Sequence, residues 1–148
     1  MPPGASAELA AQAARLCAAM DSTTNARVAE HGLTRADFDV LAALRGAGPG
    51  HRLRPMDLSA GCRLSSGGTS NVLRRMTESG YVVREADLHD GRSSWAQLTV
   101  EGMRVAEAVQ EAVDGVHTQL LRRLPPGVVD ALSALLAQTV AVLESPAR

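Results

Sequence analysis

Apolar residues recur every three or four positions at both ends of the chain, which is the spacing of one face of an amphipathic helix. Near the first end they predict a helix over residues 6–30, which stops at Gly32 because glycine suits the left-handed position after a helix. At the other end they predict a last helix over about 127–143. The first stripe comprises Leu9, Ala13, Leu16 and Met20, and the last comprises Val128, Leu132, Leu135, Leu136, Thr139 and Leu143.

Start and stop residues predict three more helices between these two. Thr34 can cap a helix that ends at the glycine-rich loop 46–50. Pro55 suits the first turn of a short helix over about 55–61, after a brief extended piece at 51–54. Ser65 caps a further helix that runs to Ser79. Two helices joined by a tight turn are typical of a helix-turn-helix.

The periodicity then changes from helical to extended. Residues 81–85 are rich in β-branched and aromatic side chains, and 94–98 shows this pattern less strongly. The segment 87–92 between them is rich in turn formers, so together they predict a β-hairpin. Thr99 caps a helix that reaches about residue 123. A helix-turn-helix followed by a hairpin is a winged helix, so the predicted fold class is mostly α with a small β-hairpin wing, flanked by terminal helices.

The charge of the chain is concentrated in its middle. The formal net charge is only -1, and all 15 basic residues are arginine. Residues 52–75 hold five arginines against the single acid Asp57, a net charge of +4 over the helix-turn-helix. This is the electrostatic pattern of a surface that contacts DNA phosphates. The alternative is a polar face that contacts only solvent.

The helix after Ser65 divides into two faces when projected at 100° per residue. Thr69, Val72, Leu73 and Met76 share the apolar face, and the opposite face carries Gly67, Asn71, Arg74 and Glu78, flanked by Ser70 and Arg75. Asparagine can pair with adenine and arginine with guanine in a major groove. Small residues at 65–68 allow close approach to DNA, and Arg75 is expected to contact phosphate or solvent.

The tip of the predicted hairpin contains an aspartate and an arginine two positions apart. Arg92 could enter a narrow minor groove, where negative potential is concentrated, and Asp90 could hold its guanidinium. The alternative is a surface ion pair without a DNA contact.

Several functional classes find no support in the sequence. No apolar run is long enough to cross a membrane, and the first residues lack a signal-peptide pattern, so we expect a cytoplasmic protein without membrane association. Cys17 and Cys62 lie too far apart for a metal-binding pair, and the histidines are scattered. No nucleophile elbow or phosphate loop is present, so we predict no enzyme, catalytic residue, metal or cofactor.

These segments resemble the MarR family of bacterial transcriptional regulators. The resemblance covers about residues 33–103. One matching segment begins at Leu33-Thr34 and includes Phe38, and a second runs from Leu64-Ser65 to Met76. Its most specific part is Asp90-Gly91-Arg92 followed by Leu98-Thr99 and Gly102, which is similar to the wing motif of the family.

The resemblance implies a homodimeric repressor that is released from a pseudo-palindromic operator by a small molecule of unknown identity. Residues 1–148 would form one MarR-like domain, with dimerisation helices at 6–32 and 100–145 and the winged lobe at 33–99. The expected partners are double-stranded DNA and a second copy of the chain. The predicted DNA-binding residues are Arg54, Ser65, Ser66, Gly67, Gly68, Ser70, Asn71, Arg74, Arg75, Asp90 and Arg92.

Two alternative functions remain open at this point. The same fold could respond to oxidation through Cys17, which lies in the first helix but without the tyrosines expected near a peroxide-sensing cysteine. A winged helix could also bind a protein instead of DNA, although Arg74, Arg75 and Arg92 favour DNA. Cys62 is expected to be a small packing residue, and Trp95 to pack on the hairpin or to line a cleft.

Overall fold

The computed structural model describes residues 4–87 and 94–145. The element order is that predicted from the sequence, and the bounds agree within a few residues. The helices are α1 (Ala5–Glu30), α2 (Arg35–Gly46), α3 (Pro55–Gly61), α4 (Ser66–Glu78), α5 (Val100–Leu121) and α6 (Val128–Glu144), and the strands are β1 (Arg52–Leu53), β2 (Val82–Ala86) and β3 (Ser94–Leu98).

Each of the three predicted N-caps is present. Thr34 forms a capping box with Asp37 at the start of α2, in which each side chain accepts a hydrogen bond from the backbone N–H of the other residue. The Ser65 side chain accepts from Gly68 N at 3.0 Å, and Thr99 Oγ1 accepts from Gly102 N at 2.9 Å. Local side-chain chemistry therefore sets where α2, α4 and α5 begin.

The wing contains a third strand, β1, which pairs with β3 although the two are far apart in the sequence. The sheet order is β1-β3-β2 with both pairs antiparallel. Val82 lies opposite Leu98, and Leu53 of β1 lies opposite Ala96. The sequence predicted that residues 51–54 are extended, but not that they pair with β3.

The core lies between α2, α4, α5 and the inner face of the sheet. Its largest fully buried side chains include Leu41, Leu44, Leu58 and Leu73. The α1–α5 contact adds Val28 and Val113, together with a polar pair in which Thr24 Oγ1 lies 2.9 Å from His117 Nε2. This core holds the helix-turn-helix and the wing in a fixed relation.

The terminal helices leave most of their apolar residues exposed in the single chain. No residue of α6 is buried, and Leu135, Val142 and Leu143 are 62%, 74% and 78% exposed. Leu9 of α1 is 68% exposed. Within residues 4–87 and 94–145, none of the helices is long and apolar enough to cross a membrane.

Candidate nucleic-acid interface

Helix α4 has the two faces that its sequence predicted. Thr69, Val72, Leu73 and Met76 are all buried. Ser66, Gly67, Ser70, Asn71 and Arg74 are exposed on the other side. The buried face anchors the helix in the core, so the polar face is presented outward in a defined orientation.

The turn between α3 and α4 is held by hydroxyl groups and an unusual backbone angle. Ser59 Oγ of α3 lies 2.7 Å from Thr69 Oγ1 of α4, so these hydroxyls are hydrogen-bonded across the helix pair. Arg63 has a φ of 53°, a left-handed conformation that costs a residue with a side chain about 1 kcal/mol or more. Leu64 N donates to Ser59 O at 2.9 Å and closes the turn.

The two glycines in the first turn of α4 have different surroundings. A Cβ at Gly68 would lie 3.1 Å from the Oγ of the Ser65 cap, so the bare backbone there leaves room for the cap. A Cβ at Gly67 would meet nothing within 4 Å. Since the described chain gives no steric reason for Gly67, the absence of a side chain leaves an open surface for close approach from outside.

Beside the polar face of α4, the wing contributes a basic residue that sequence reasoning missed. Arg84 of β2 lines an open groove with Asn71 and Arg74. In β2, Arg84 shares its face with the buried Val82, so it points toward the α4 side of the sheet. Strand alternation in Tyr81-Val82-Val83-Arg84 was the signal that could have found it.

Arg74 and Arg75 differ in their partners although they are neighbours. Arg74 is exposed and has a weak ion pair with the exposed Glu78 at 3.3 Å. Arg75 donates from Nη2 to Asp37 Oδ1, and that carboxylate belongs to the α2 capping box. Asp37 is only 3% exposed, whereas the Arg75 side chain is 40% exposed. Arg75 therefore ties α4 to α2 and still reaches solvent.

Arg54 lies at the junction of β1 and α3, on the wing side of the helix-turn-helix. Its Nη2 donates to Asp87 Oδ2 at 2.7 Å, and its guanidinium carbon lies 4.8 Å from the centre of the Trp95 ring. The Trp95 ring therefore contacts the segment that leads from β1 into α3, which lies outside the hairpin. Asp90 and Arg92, the two predicted residues of the hairpin tip, lie outside the described residues.

The cysteines lie apart from this surface chemistry. Cys62 packs against the core, where burial raises the pKa of its thiol and the carboxylate of Asp39 raises it further. A raised pKa lowers the thiolate fraction at neutral pH, so this thiol is a poor nucleophile. Cys17 is exposed on α1.

A winged helix-turn-helix with an outward asparagine and arginine on its second helix is the arrangement by which many DNA-binding proteins read the major groove. Comparison with known proteins agrees. The sequence model of the MarR family matches residues 31–93. The chain is 30% identical over 111 residues to the HTH-type transcriptional regulator YkoM of Bacillus subtilis, covering 72% of this chain and 68% of that protein. It is 29% identical over 110 residues to the HTH-type transcriptional repressor Rv2887 of Mycobacterium tuberculosis, covering 74% and 77%.

Solved structures share the fold over nearly the whole chain. A MarR variant from E. coli, complexed with operator DNA, superposes with a TM-score of 0.74 at 23% identity, covering 94% of this chain and 99% of that one. NadR in complex with 4-hydroxyphenylacetate gives a TM-score of 0.70 at 23% identity, covering 94% and 95%.

The chain belongs to the MarR family. It is a DNA-binding transcriptional regulator.

Proposed function

We propose that the protein is a homodimeric repressor that binds a pseudo-palindromic operator and leaves it when a small molecule binds. The observation that carries this proposal is the exposed polar face of α4, held outward by its buried apolar face. The similarity to a regulator named as a repressor supports the negative mode of action. The protein would act in the cytoplasm, where a bacterial chromosome is found.

Within the operator, we assign different roles to the predicted residues. Asn71 pairs with adenine and Arg74 with guanine in the major groove, because these side chains offer bidentate hydrogen bonds to those bases. Arg75, Ser70 and the first turn of α4 at 65–68 contact phosphates, which fix the register without reading sequence. Arg54 contacts a phosphate beside the wing with the N–H groups that its pairing with Asp87 leaves free, and Arg92, supported by Asp90, enters the minor groove.

Selection of bound sequences from a pool of random duplexes tests the DNA-binding role. We expect two related half-sites about one helical turn apart, because a two-fold dimer presents two α4 helices. Asn71→Ala should relax the sequence preference, and Gln119→Ala, an exposed polar change on α5, should not. A pool without enrichment would contradict the proposal, and a uniform loss for Asn71→Ala would make that residue an anchor.

The wing assignment has its own test. Arg92→Ala should weaken binding to the selected operator at least tenfold, an energy of about 1.4 kcal/mol or more. The dimer should stay intact in sedimentation. Unchanged binding in a gel-shift titration would remove Arg92 from the interface.

The exposed apolar surface of the terminal helices supports the proposed dimer. In this dimer, residues 6–32 and 100–145 form the dimerisation helices and residues 33–99 form the winged lobe. Helix α6 has 17 residues and none is buried, although most of the stability of a helix in a protein comes from the packing of its apolar face. A second copy would bury this surface. Leu135→Glu should dissociate the dimer in sedimentation velocity, whereas Met56→Glu, at an apolar residue that is 76% exposed on α3 and outside the dimerisation helices, should not. If the Leu135→Glu variant has the same dimer dissociation constant as the wild-type chain, this account is wrong.

A groove between the wing and α5 is our candidate for the effector site. It has a volume of about 490 Å³ and is lined by His51, Met103 and Arg104, among others. Arg104 would supply positive charge for an anion, although it is paired with Glu101 at 2.6 Å. We expect 4-hydroxyphenylacetate, used as a probe, to raise the melting temperature and release DNA, with weaker effects in Met103→Glu. Equal effects in both proteins would place the site elsewhere.

A further inference from the structure

The outer face of the wing sheet carries a cluster of two arginines on a tryptophan. The guanidinium carbon of Arg52 lies 4.9 Å from the centre of the Trp95 ring, and that of Arg54 lies 4.8 Å from it. The intervening Leu53 packs against the core, so Arg52 and Arg54 project from the opposite face of the extended segment. Both distances are within the range of cation–π attraction.

The two arginines are not equivalent in charge. Arg54 donates to Asp87, whose side chain is only 8% exposed, so its charge is compensated by a nearly buried carboxylate. Arg52 is exposed and has no carboxylate within ion-pair distance among the described residues. The ring therefore holds one guanidinium that is already paired and one whose charge is available to an anion.

The register shows that the Arg52 side chain leans along the sheet. In the backbone ladder, Arg52 lies opposite Gln97, whereas its guanidinium lies over Trp95, two residues nearer to the start of β3. Asp87 follows the end of β2, so Trp95 and Asp87 both lie at the hairpin end of the sheet. The indole thus draws the Arg52 charge toward the end at which a wing meets DNA.

We propose that Arg52 is a phosphate-binding residue of the DNA interface and that Trp95 is its positioning residue. This inference rests on the DNA-binding function proposed above and adds a contact from the edge strand β1. A guanidinium held near a ring face keeps its N–H donors, which lie in its own plane, so it can donate two parallel hydrogen bonds to a phosphate. Because the ring already restricts the side chain, less rotamer freedom is lost on binding.

The salt dependence of binding to a random-sequence DNA duplex tests the Arg52 contact. Each phosphate contact contributes about 0.9 to the slope of log affinity against log salt concentration. We expect Arg52→Ala to reduce the steepness of that slope by about 1.8, because the proposed dimer loses one such contact from each subunit, and to weaken binding several-fold at low salt. Arg122→Ala, which removes an arginine just beyond the far end of α5, should leave the slope unchanged.

The positioning role of Trp95 requires a double-mutant cycle. Trp95→Leu should reproduce most of the slope change of Arg52→Ala, and Trp95→Phe should restore the wild-type slope because a phenyl ring also holds a guanidinium. In the Arg52→Ala background, Trp95→Leu should cause little further change in slope. Since the chain has one tryptophan, its fluorescence reports the stack directly, and Arg52→Ala should shift the emission.

The outcomes separate the two proposals. If the wild-type chain binds duplex DNA with a negative salt slope and Arg52→Ala has the same slope, then Arg52 does not contact phosphate. If Trp95→Leu weakens binding equally with and without Arg52, then Trp95 acts only through the fold. If the wild-type chain fails to bind any duplex, the proposed function fails first.

Discussion

Arg75 of α4 donates a hydrogen bond to Asp37, a buried carboxylate in the first turn of α2. The same carboxylate accepts from the backbone N–H of Thr34 at 2.9 Å. One side chain therefore caps α2 and binds the second helix of the helix-turn-helix. A basic residue that the sequence suggested for phosphate or solvent also has a structural role.

Removing this arginine should destabilise the protein more than removing its neighbour. Arg75→Ala leaves the Asp37 carboxylate buried without its cation, which we expect to cost about 1–2 kcal/mol after discounting for the exposed side of the pair. Arg74→Ala breaks only a solvent-exposed ion pair and should change stability by less than about 0.5 kcal/mol. Urea unfolding of both variants measures the difference, and equal midpoints would contradict it.

The DNA role of Arg75 can be separated from its structural role with Asp37→Asn. This change weakens the attachment between α2 and α4 but keeps the positive charge of Arg75. If Arg75 binds phosphate directly, Asp37→Asn should retain most of the operator affinity and the full salt slope. If Arg75 acts by orienting α4, Asp37→Asn should lose affinity as Arg75→Ala does, while its salt slope stays the same.

Gly102 occupies a position at which no side chain fits. A Cβ there would lie 2.0 Å from the carbonyl oxygen of Tyr81, so either α5 or the start of β2 would have to move. We expect Gly102→Ala to lower the unfolding free energy by about 2 kcal/mol or more. At Gly115 of the same helix an added methyl group would meet nothing within 4 Å, and Gly115→Ala should raise stability by up to about 1 kcal/mol. Thermal unfolding of the two variants tests whether Gly102→Ala lowers the melting temperature and Gly115→Ala raises it.

Gly67→Ala should have the opposite effect on stability to Gly102→Ala, and its unfavourable effect should be confined to DNA binding. Gly67→Ala should stabilise α4 by about 0.5–1 kcal/mol, because alanine is the better helix former. It should also weaken operator binding if the backbone of the first turn approaches phosphate closely. Gly115→Ala is the control for a methyl group added away from the interface. Unchanged DNA affinity in Gly67→Ala would make this glycine incidental.

The two cysteines should react at different rates with a thiol reagent at neutral pH. Burial raises the pKa of the Cys62 thiol, so at a given pH less of it is the reactive thiolate. Its rate should keep rising as the pH is raised toward that pKa. In Cys17→Ser, which isolates Cys62, labelling should be slow until urea unfolds the chain. In Cys62→Ser, the exposed Cys17 should label without unfolding, and equal rates would contradict the difference.

Local chemistry explains why so much of the fold could be predicted. The caps Thr34, Ser65 and Thr99 and the stop at Gly32 act within a few residues of where they stand, so the sequence shows them directly. The faces of α4 follow from helical periodicity alone. The pairing of β1 with β3 could not be predicted, since it joins segments about 45 residues apart and depends on the packing of the whole lobe.

The candidate site was predictable to the extent that it lies on one helix. Asn71 and Arg74 are exposed because their helix has a single apolar face, which the sequence defines. The partners of Arg54 and Arg75 come from segments more than thirty residues away, so no local pattern indicates them. The groove position of Arg84 likewise depends on how the wing packs beside α4. The assignment of Asp90 and Arg92 stays a prediction.

The close approach at Gly102 has a mechanical consequence. Thr99 Oγ1 donates to Gly80 O at 2.7 Å and Thr99 N to Tyr81 O at 3.0 Å, so the base of the wing and the start of α5 move as one body. Helix α5 has 22 residues, which makes it a lever about 33 Å long. Tilting that body by about 10° displaces the far end of the lever by about 6 Å, given the rise per residue. Any adjustment at the base of the wing would therefore reach the far end of α5, where the chain turns toward α6.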